Sequence, residues 1–334
     1  MTRQKMRSVL LFALSLLLIV PLGAGADTTL RASHQWPGGK GDIRDEMVQI
    51  IARDINEAKL GIEIQVYPGK SLFKPKEQWG AMVAGNLDIT AFPLAYAGGK
   101  HPEFNLTLMP GLVKSHDHAA RLNKSEFMNE IRKIMDANGV MVLADTWLAG
   151  GFATKGECVL GPETAKGRQL RAAGKSFEEM LAGAGASINS MPSSEIYTAM
   201  QTGVLDGAVT SSASLVSYRI YEQAGCLTAP GDNALWVMYE PILMAKKSFE
   251  ALNDAQKDAI MKASAKAEKY AFEEAKKTDA ALVEAYKKAG VKVVFMTPEH
   301  AAAWRAIAKD TSYKNFAEKV EGGQRLLDLA LSVE

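Results

Sequence analysis

Electrical bias is the first thing this chain lacks. Across 334 residues, 39 Lys and Arg stand against 38 Asp and Glu, a formal net charge of +1. A chain so balanced projects no field that would draw nucleic acid or an anionic membrane surface. Nor does any basic stretch interleaved with aromatics supply a local one, so nucleic acid is not an expected partner. Cysteine is almost missing as well: Cys158 and Cys226 are the pair. Neither has a neighbouring His and they lack C-x-x-C spacing, which argues against a catalytic thiol. The usual catalytic signatures are absent too, with no Gly-x-Ser-x-Gly and no His-Glu-x-x-His. Gly69-Lys70-Ser71 would need a glycine where Ile64 stands to be a phosphate loop. Gly183-Ala184-Gly185 is an incomplete dinucleotide pattern. His116-Asp117-His118 has no third ligand placed by the sequence, and adjacent side chains at a helix start point apart; a solvated cap is the expectation. No metal, no cofactor and no enzyme are expected.

Long apolar runs are scarce. Val9–Val20 is one, preceded by Arg3, Lys5 and Arg7 and followed by the small residues Ala24-Gly25-Ala26. It is short for a membrane span and has no stop-transfer flank. Residues 1–26 therefore read as a signal peptide cleaved near Ala26, the alternative being an uncleaved anchor, and the mature protein is expected in the periplasm. No Cys follows the cleavage site, so a lipoprotein is not expected. In an oxidising compartment an even pair of cysteines is often bridged. A Cys158–Cys226 disulfide is one reading; two buried thiols is the other.

What is present is strand–helix alternation, given twice. Leu30–His34, Ile62–Val66 and Leu87–Phe92 read as strands, with helices between them from Asp42 and from Pro75. Arg168–Ala172, Ala186–Ser190 and Val204–Thr210 repeat the order, with helices from Lys175 and from Pro192. Such an order argues for α/β architecture with parallel strands and crossover helices. Two such units in one exported chain suggest two lobes with a cleft between them. Residues 116–138 read as one long helix. Residues 253–289 are rich in Ala, Lys and Glu without Gly or Pro. As one helix that segment would span about 54 Å, longer than either lobe; two stacked helices breaking near Thr278-Asp279 is the alternative. Crossovers between lobes are placed near Thr146–Gly151 and within Trp236–Ala245. Lobe I then comprises 27–148 plus 238–278, and lobe II 149–237 plus 279–334.

The strand ending in Arg171 is followed by Pro192-x-x-Glu195-x-Tyr197-x-Ala199-x-Gln201-x-Gly203-x-x-Asp206-Gly207. This combination resembles the signature of the solute-binding proteins of tripartite ATP-independent periplasmic (TRAP) transporters, of the dicarboxylate-binding type. The resemblance implies a two-lobed periplasmic binding protein fold, type II-like, with a long helix bracing both lobes. It implies an extracytoplasmic subunit that captures an organic acid and hands it to the transporter's membrane subunits. It also implies that Arg171 holds the carboxylate, for which a guanidinium fork is suited. Arg168, on the opposite face of the strand, is expected in solvent.

Two departures bear on the ligand. Where many relatives have Glu-Asn-Pro after Asp-Gly, this chain has Ala208-Val209-Thr210, so Thr210 stands at the Asn position. Where they carry another Arg, it has Gly150-Gly151-Phe152. One carboxylate held firmly is the expectation, with a dianion less favoured. Further candidate contacts are Phe92, Trp147 and Trp236 near strand ends, Glu240 as an acceptor, and Gln35 after the first strand. Other readings of the same cleft are a sensory binding protein serving a receptor and a small-acid hydrolase or lyase.

Overall fold

The computed structural model describes residues 28–334, so the signal-peptide reading lies outside the described residues. Among the described residues twelve strands occur in chain order: β1 (Thr28–Ser33), β2 (Ile62–Tyr67), β3 (Ile89–Ala91), β4 (Val140–Ala144), β5 (Trp147–Thr154) and β6 (Gln169–Ala172). They continue with β7 (Ser187–Ser190), β8 (Gly207–Ser211), β9 (Cys226–Ala229), β10 (Trp236–Tyr239), β11 (Ile242–Ala245) and β12 (Lys292–Phe295). The first sheet runs β2-β1-β3-β11-β4 and the second β12-β9-β5-β8-β6-β7, with β10 also paired to β5. β1 lies parallel to β2 and β3, and β6 parallel to β7 and β8. Both sheets are flanked by helices, the α/β architecture that the alternation predicts.

The helix Ile43–Ala58 shows why these segments fold as they do. Asp42 caps it by accepting from Arg44 N, and Ile43, Met47, Ile50, Ile51 and Ile55 are buried. Those residues close over β1 and β2 with Leu30, Ile62 and Ile64. The 116–138 segment departs from the expected single helix. It forms His116–Leu122 and Glu126–Ala137, because Ser125 accepts from Met128 N and caps a new helix start.

The chain changes sheet at Asp145-Thr146, between β4 and β5, and returns at Glu240-Pro241, between β10 and β11. Divisions at 148/149 and 237/238 therefore fall inside β5 and β10. Those strands form an antiparallel pair within the second sheet. Proline, without a backbone donor, marks the second link. The last helix, Gly323–Leu331, also departs from its assignment to lobe II. Its Leu326, Leu327 and Ala330 pack with Phe127, Met128 and Ile131 of the first lobe. Arg325 pairs with Glu130, and His118 Nε2 lies 2.9 Å from the Val333 carbonyl oxygen. An amphipathic pattern announces a buried face without naming what buries it.

Asp254–Lys288 is one helix of 35 residues, about 50 Å long. Asn253 and Gln256 close its start in a capping box. Its first half packs through Ile260, Ala263, Ala267 and Ala271 into the first lobe's core, and Leu282 and Tyr286 enter the second's. No break occurs at Thr278-Asp279. Asp279 instead holds Ser212 Oγ at 2.5 Å and His116 Nε2 at 2.9 Å, joining the lobes in the last third of the helix. Cys158 and Cys226 form a disulfide, Cα–Cα 5.2 Å, that ties the loop after β5 to β9.

Candidate functional site

Strand alternation sets Arg171 apart. Leu170 and Ala172 turn into an apolar core with Phe177 and Val209, so Arg171 must face the other way. Its backbone pairs with Ala208 of β8, and Thr210, two residues on, shares that face. Arg168 is only partly exposed and donates to the Glu157 carbonyl oxygen. Arg171, by contrast, is 0 % exposed. Its Nε donates to Met191 O at 2.8 Å, Nη1 to Val209 O at 2.9 Å and Nη2 to the Tyr96 hydroxyl at 3.1 Å. A guanidinium has five N–H donors. Among the described residues two remain without an acceptor, one on each terminal nitrogen, and no carboxylate pairs with the cation.

Tyr96 comes from the other lobe, in the turn after β3. Its oxygen receives Arg171 Nη2 and, at 3.0 Å, the backbone N–H of Ser193. Gln35 Nε2 also donates to it, at 3.4 Å, and the Gln35 backbone carbonyl accepts from the Tyr218 hydroxyl at 2.8 Å. A phenol oxygen has two lone pairs and one proton. With three donors sharing its lone pairs, that proton is what Tyr96 has left to offer. Nearby, Lys76 Nζ reaches Ser190 Oγ at 3.3 Å. A Cβ on Gly174 would sit 3.0 Å from that of Ala95. The lobes are in contact, and the site is closed.

Beside this joint lies a second buried guanidinium that sequence reasoning missed. Arg44 is fully buried, with Trp36's ring 4.0 Å from its central carbon. It donates to both Asp42 oxygens at 2.8 and 2.7 Å, to Glu240 Oε2 at 2.6 Å, and to Ser211 and Ser214 hydroxyls at 2.9 and 3.1 Å. First-lobe helix, second-lobe strand end and return link thus meet on one side chain. Burial pushes the Asp42 carboxyl up, but Arg44's charge and hydrogen bonds outweigh this and hold it below its ordinary range. At Glu240 burial wins over Arg44 and the carboxyl is raised. A signal for Arg44 existed: it falls in register with Met47, Val48, Ile51 and Ile55 on the helix's buried stripe.

Residues 37–319 match the family described as bacterial extracellular solute-binding protein, family 7. The chain belongs to this family. It is 40 % identical over 307 residues to a solute-binding protein of Albidiferax ferrireducens, covering 91 % of each. It is 26 % identical to the sialic acid-binding periplasmic protein SiaP of Vibrio cholerae, covering 81 % of this chain and 84 % of that one. A TRAP periplasmic solute-binding protein from Rhodoferax ferrireducens, solved with bound malonate, superposes with a TM-score of 0.87. That structure is 40 % identical and covers 91 % of this chain and 98 % of its own. As a TRAP solute-binding protein, the chain is an extracytoplasmic component that works with separate membrane subunits. No helix of the described residues is long and apolar enough to cross a membrane.

Within this solute-binding protein, the structure gathers Arg171, Gln35 and, on the same sheet face as Arg171, Thr210. Glu240 stands next to them, but with one oxygen committed to Arg44 rather than open to a ligand amine. Phe92 is a fully buried core ring, one ring removed from the site through Tyr96 at 6.2 Å. Two aromatics go elsewhere. Trp147 donates to Asn123 Oδ1 at 2.7 Å and packs on Tyr239. Trp236 pairs with Gly150 and its ring lies 4.9 Å from that of Phe177, tilted by 60°, on the sheet face opposite Arg171. Proximity to a strand end does not determine the face; the register does. His116 and His118 are likewise structural, bonded to Asp279 and Val333.

Tyr96→Phe in this solute-binding protein is expected to weaken acid binding about tenfold, the loss of one hydrogen bond to a charged group. Its melting temperature should stay close to wild type, and isothermal titration beside a thermal melt checks both. An unchanged affinity would remove Tyr96 from the site.

Proposed function

We propose that this protein captures an organic acid in the cleft between its lobes, with one carboxylate seated on Arg171, and presents the closed form to the TRAP membrane subunits. The observation that carries the reading is the buried Arg171, which among the described residues has two free N–H donors and no carboxylate partner. A buried cation left unpaired is costly, and a ligand carboxylate supplies the missing charge through two parallel hydrogen bonds. Closure is favoured only as far as the ligand binds the closed form better. Gln35 and Tyr96 reach the same place from the first lobe and would make that difference. Thr210 borders the site as a neutral hydroxyl.

Arg44, the other buried guanidinium nearby, is already matched by Asp42 and Glu240. Among the described residues no second buried cation of the site is left without a carboxylate, so a single carboxylate carries recognition. Malonate, bound by the 40 % identical relative, is the first acid to try. Nothing in the site assembles a nucleophile with a base, and binding without turnover is the reading. Delivery to the periplasm would follow cleavage of residues 1–26 near Ala26.

A thermal-shift screen tests this. Bound ligand stabilises as the logarithm of its excess over Kd, about 2.7 kcal/mol at a hundredfold excess. Acids should raise the melting temperature, and matched amines and neutral sugars should not. The reverse pattern would overturn the carboxylate reading.

A further inference from the structure

The base of the closed joint holds a balanced set of buried charges: the cations Arg44 and Arg171, and the carboxylates Asp42 and Glu240. Glu240 lies between the two guanidiniums, bonded to one and within the field of the other. Ser211 and Ser214, from the end of β8 and the helix after it, bond Arg44 beside it; the buried His34 and Asp45 pair with each other, and the Tyr218 hydroxyl donates to the Gln35 backbone carbonyl. Tyr239, its chain neighbour, turns away to Asp145. A ligand carboxylate on Arg171 would make three buried anions against two cations, and malonate's second carboxylate, where buried with it, a fourth, an imbalance a water-poor interior resists.

The two resident carboxylates are unequally held. Asp42 accepts three hydrogen bonds from Arg44, through its N, Nε and Nη2. Glu240 accepts one, on Oε2, and its Oε1 has no hydrogen-bond partner among the described residues. We infer that Glu240 takes up a proton when the acid binds, so that the ligand's carboxylate enters the closed site with one proton from solution. The balance is simple: ligand anion, solvent proton and Glu240 carboxylate become bound anion and Glu240 carboxylic acid. The new O–H on Oε1 can donate to a ligand oxygen. Burial already biases Glu240 towards its protonated form and Arg44 biases Asp42 away from it. This inference rests on Arg171 holding the acid.

The test is calorimetric titration of the full mature protein with malonate, well above malonate's second ionisation, in buffers of different ionisation heat. Wild type should absorb at least one proton per malonate, and its Kd should rise by up to tenfold per pH unit for each proton taken up as pH increases. Glu240→Gln should bind with about one proton fewer taken up than wild type and a correspondingly flatter pH profile, while His34→Gln, which removes the buried imidazole paired with Asp45, should behave as wild type. No uptake by wild type would overturn the linkage; equal uptake by Glu240→Gln would place the proton on the ligand and overturn it too. If Glu240→Gln does not fold, an infrared band of a protonated carboxyl appearing in wild type on binding decides the same question. Binding of malonate to Arg171→Ala as tightly as to wild type would instead defeat the underlying site, whatever the protons do.

Discussion

Arg171→Ala is expected to lose acid binding by on the order of 2–5 kcal/mol, roughly thirtyfold to several thousandfold in Kd. The loss is large because the ligand's charge would be buried with nothing opposite it. Fold should largely survive. The groups Arg171 now serves are the Met191 and Val209 carbonyls and the Tyr96 hydroxyl, and all three can take water when the cleft opens. Arg171→Lys separates charge from geometry. It keeps the cation but not the fork, so its affinity should fall between those of wild type and Ala. Calorimetric titration gives the affinities, and circular dichroism shows that the variants are folded.

Arg44→Met should produce the largest loss of stability. Removing one partner of a buried charge set costs about 3–5 kcal/mol, and here two carboxylates lose their cation together. The pH dependence should invert. In wild type the lowered pKa of Asp42 contributes stability above its unfolded value, and that stability is lost as pH falls through the folded one. Without Arg44, burial raises both Asp42 and Glu240. The variant's folded state then keeps its stability below the unfolded pKa and loses it as pH rises through the raised values. The gap between wild type and variant, read from urea unfolding, should therefore be wider at about pH 8 than at about pH 5. A gap independent of pH would mean that Arg44 acts by packing on Trp36 rather than by charge.

The sequence carried the alternation of strands and helices, the long helix and Arg171, because each is written in local pattern. Leu170 and Ala172 flanking Arg171 already say that it faces away from the apolar core. What local pattern omits is which surface meets which. The helix Gly323–Leu331 shows an apolar stripe, yet its contact with Glu126–Ala137 is a tertiary choice. Trp236 was legible as a buried aromatic, but its pairing with Gly150 decides that it lies across the sheet from Arg171. Arg44 stood on a recognisable buried stripe. Its partners Ser211, Ser214 and Glu240 are far away in sequence and come together only when the chain crosses between sheets. The Ser125 cap was readable, and overlooked in a segment whose apolar residues run on either side of it.

A crystal structure with malonate tests the account most directly. One carboxylate should lie between the lobes, both oxygens within about 2.7–2.9 Å of Arg171 nitrogens, with Tyr96 and Gln35 closing from the first lobe. Malonate seated elsewhere, with Arg171 still bonded only to the groups it holds now, would contradict it.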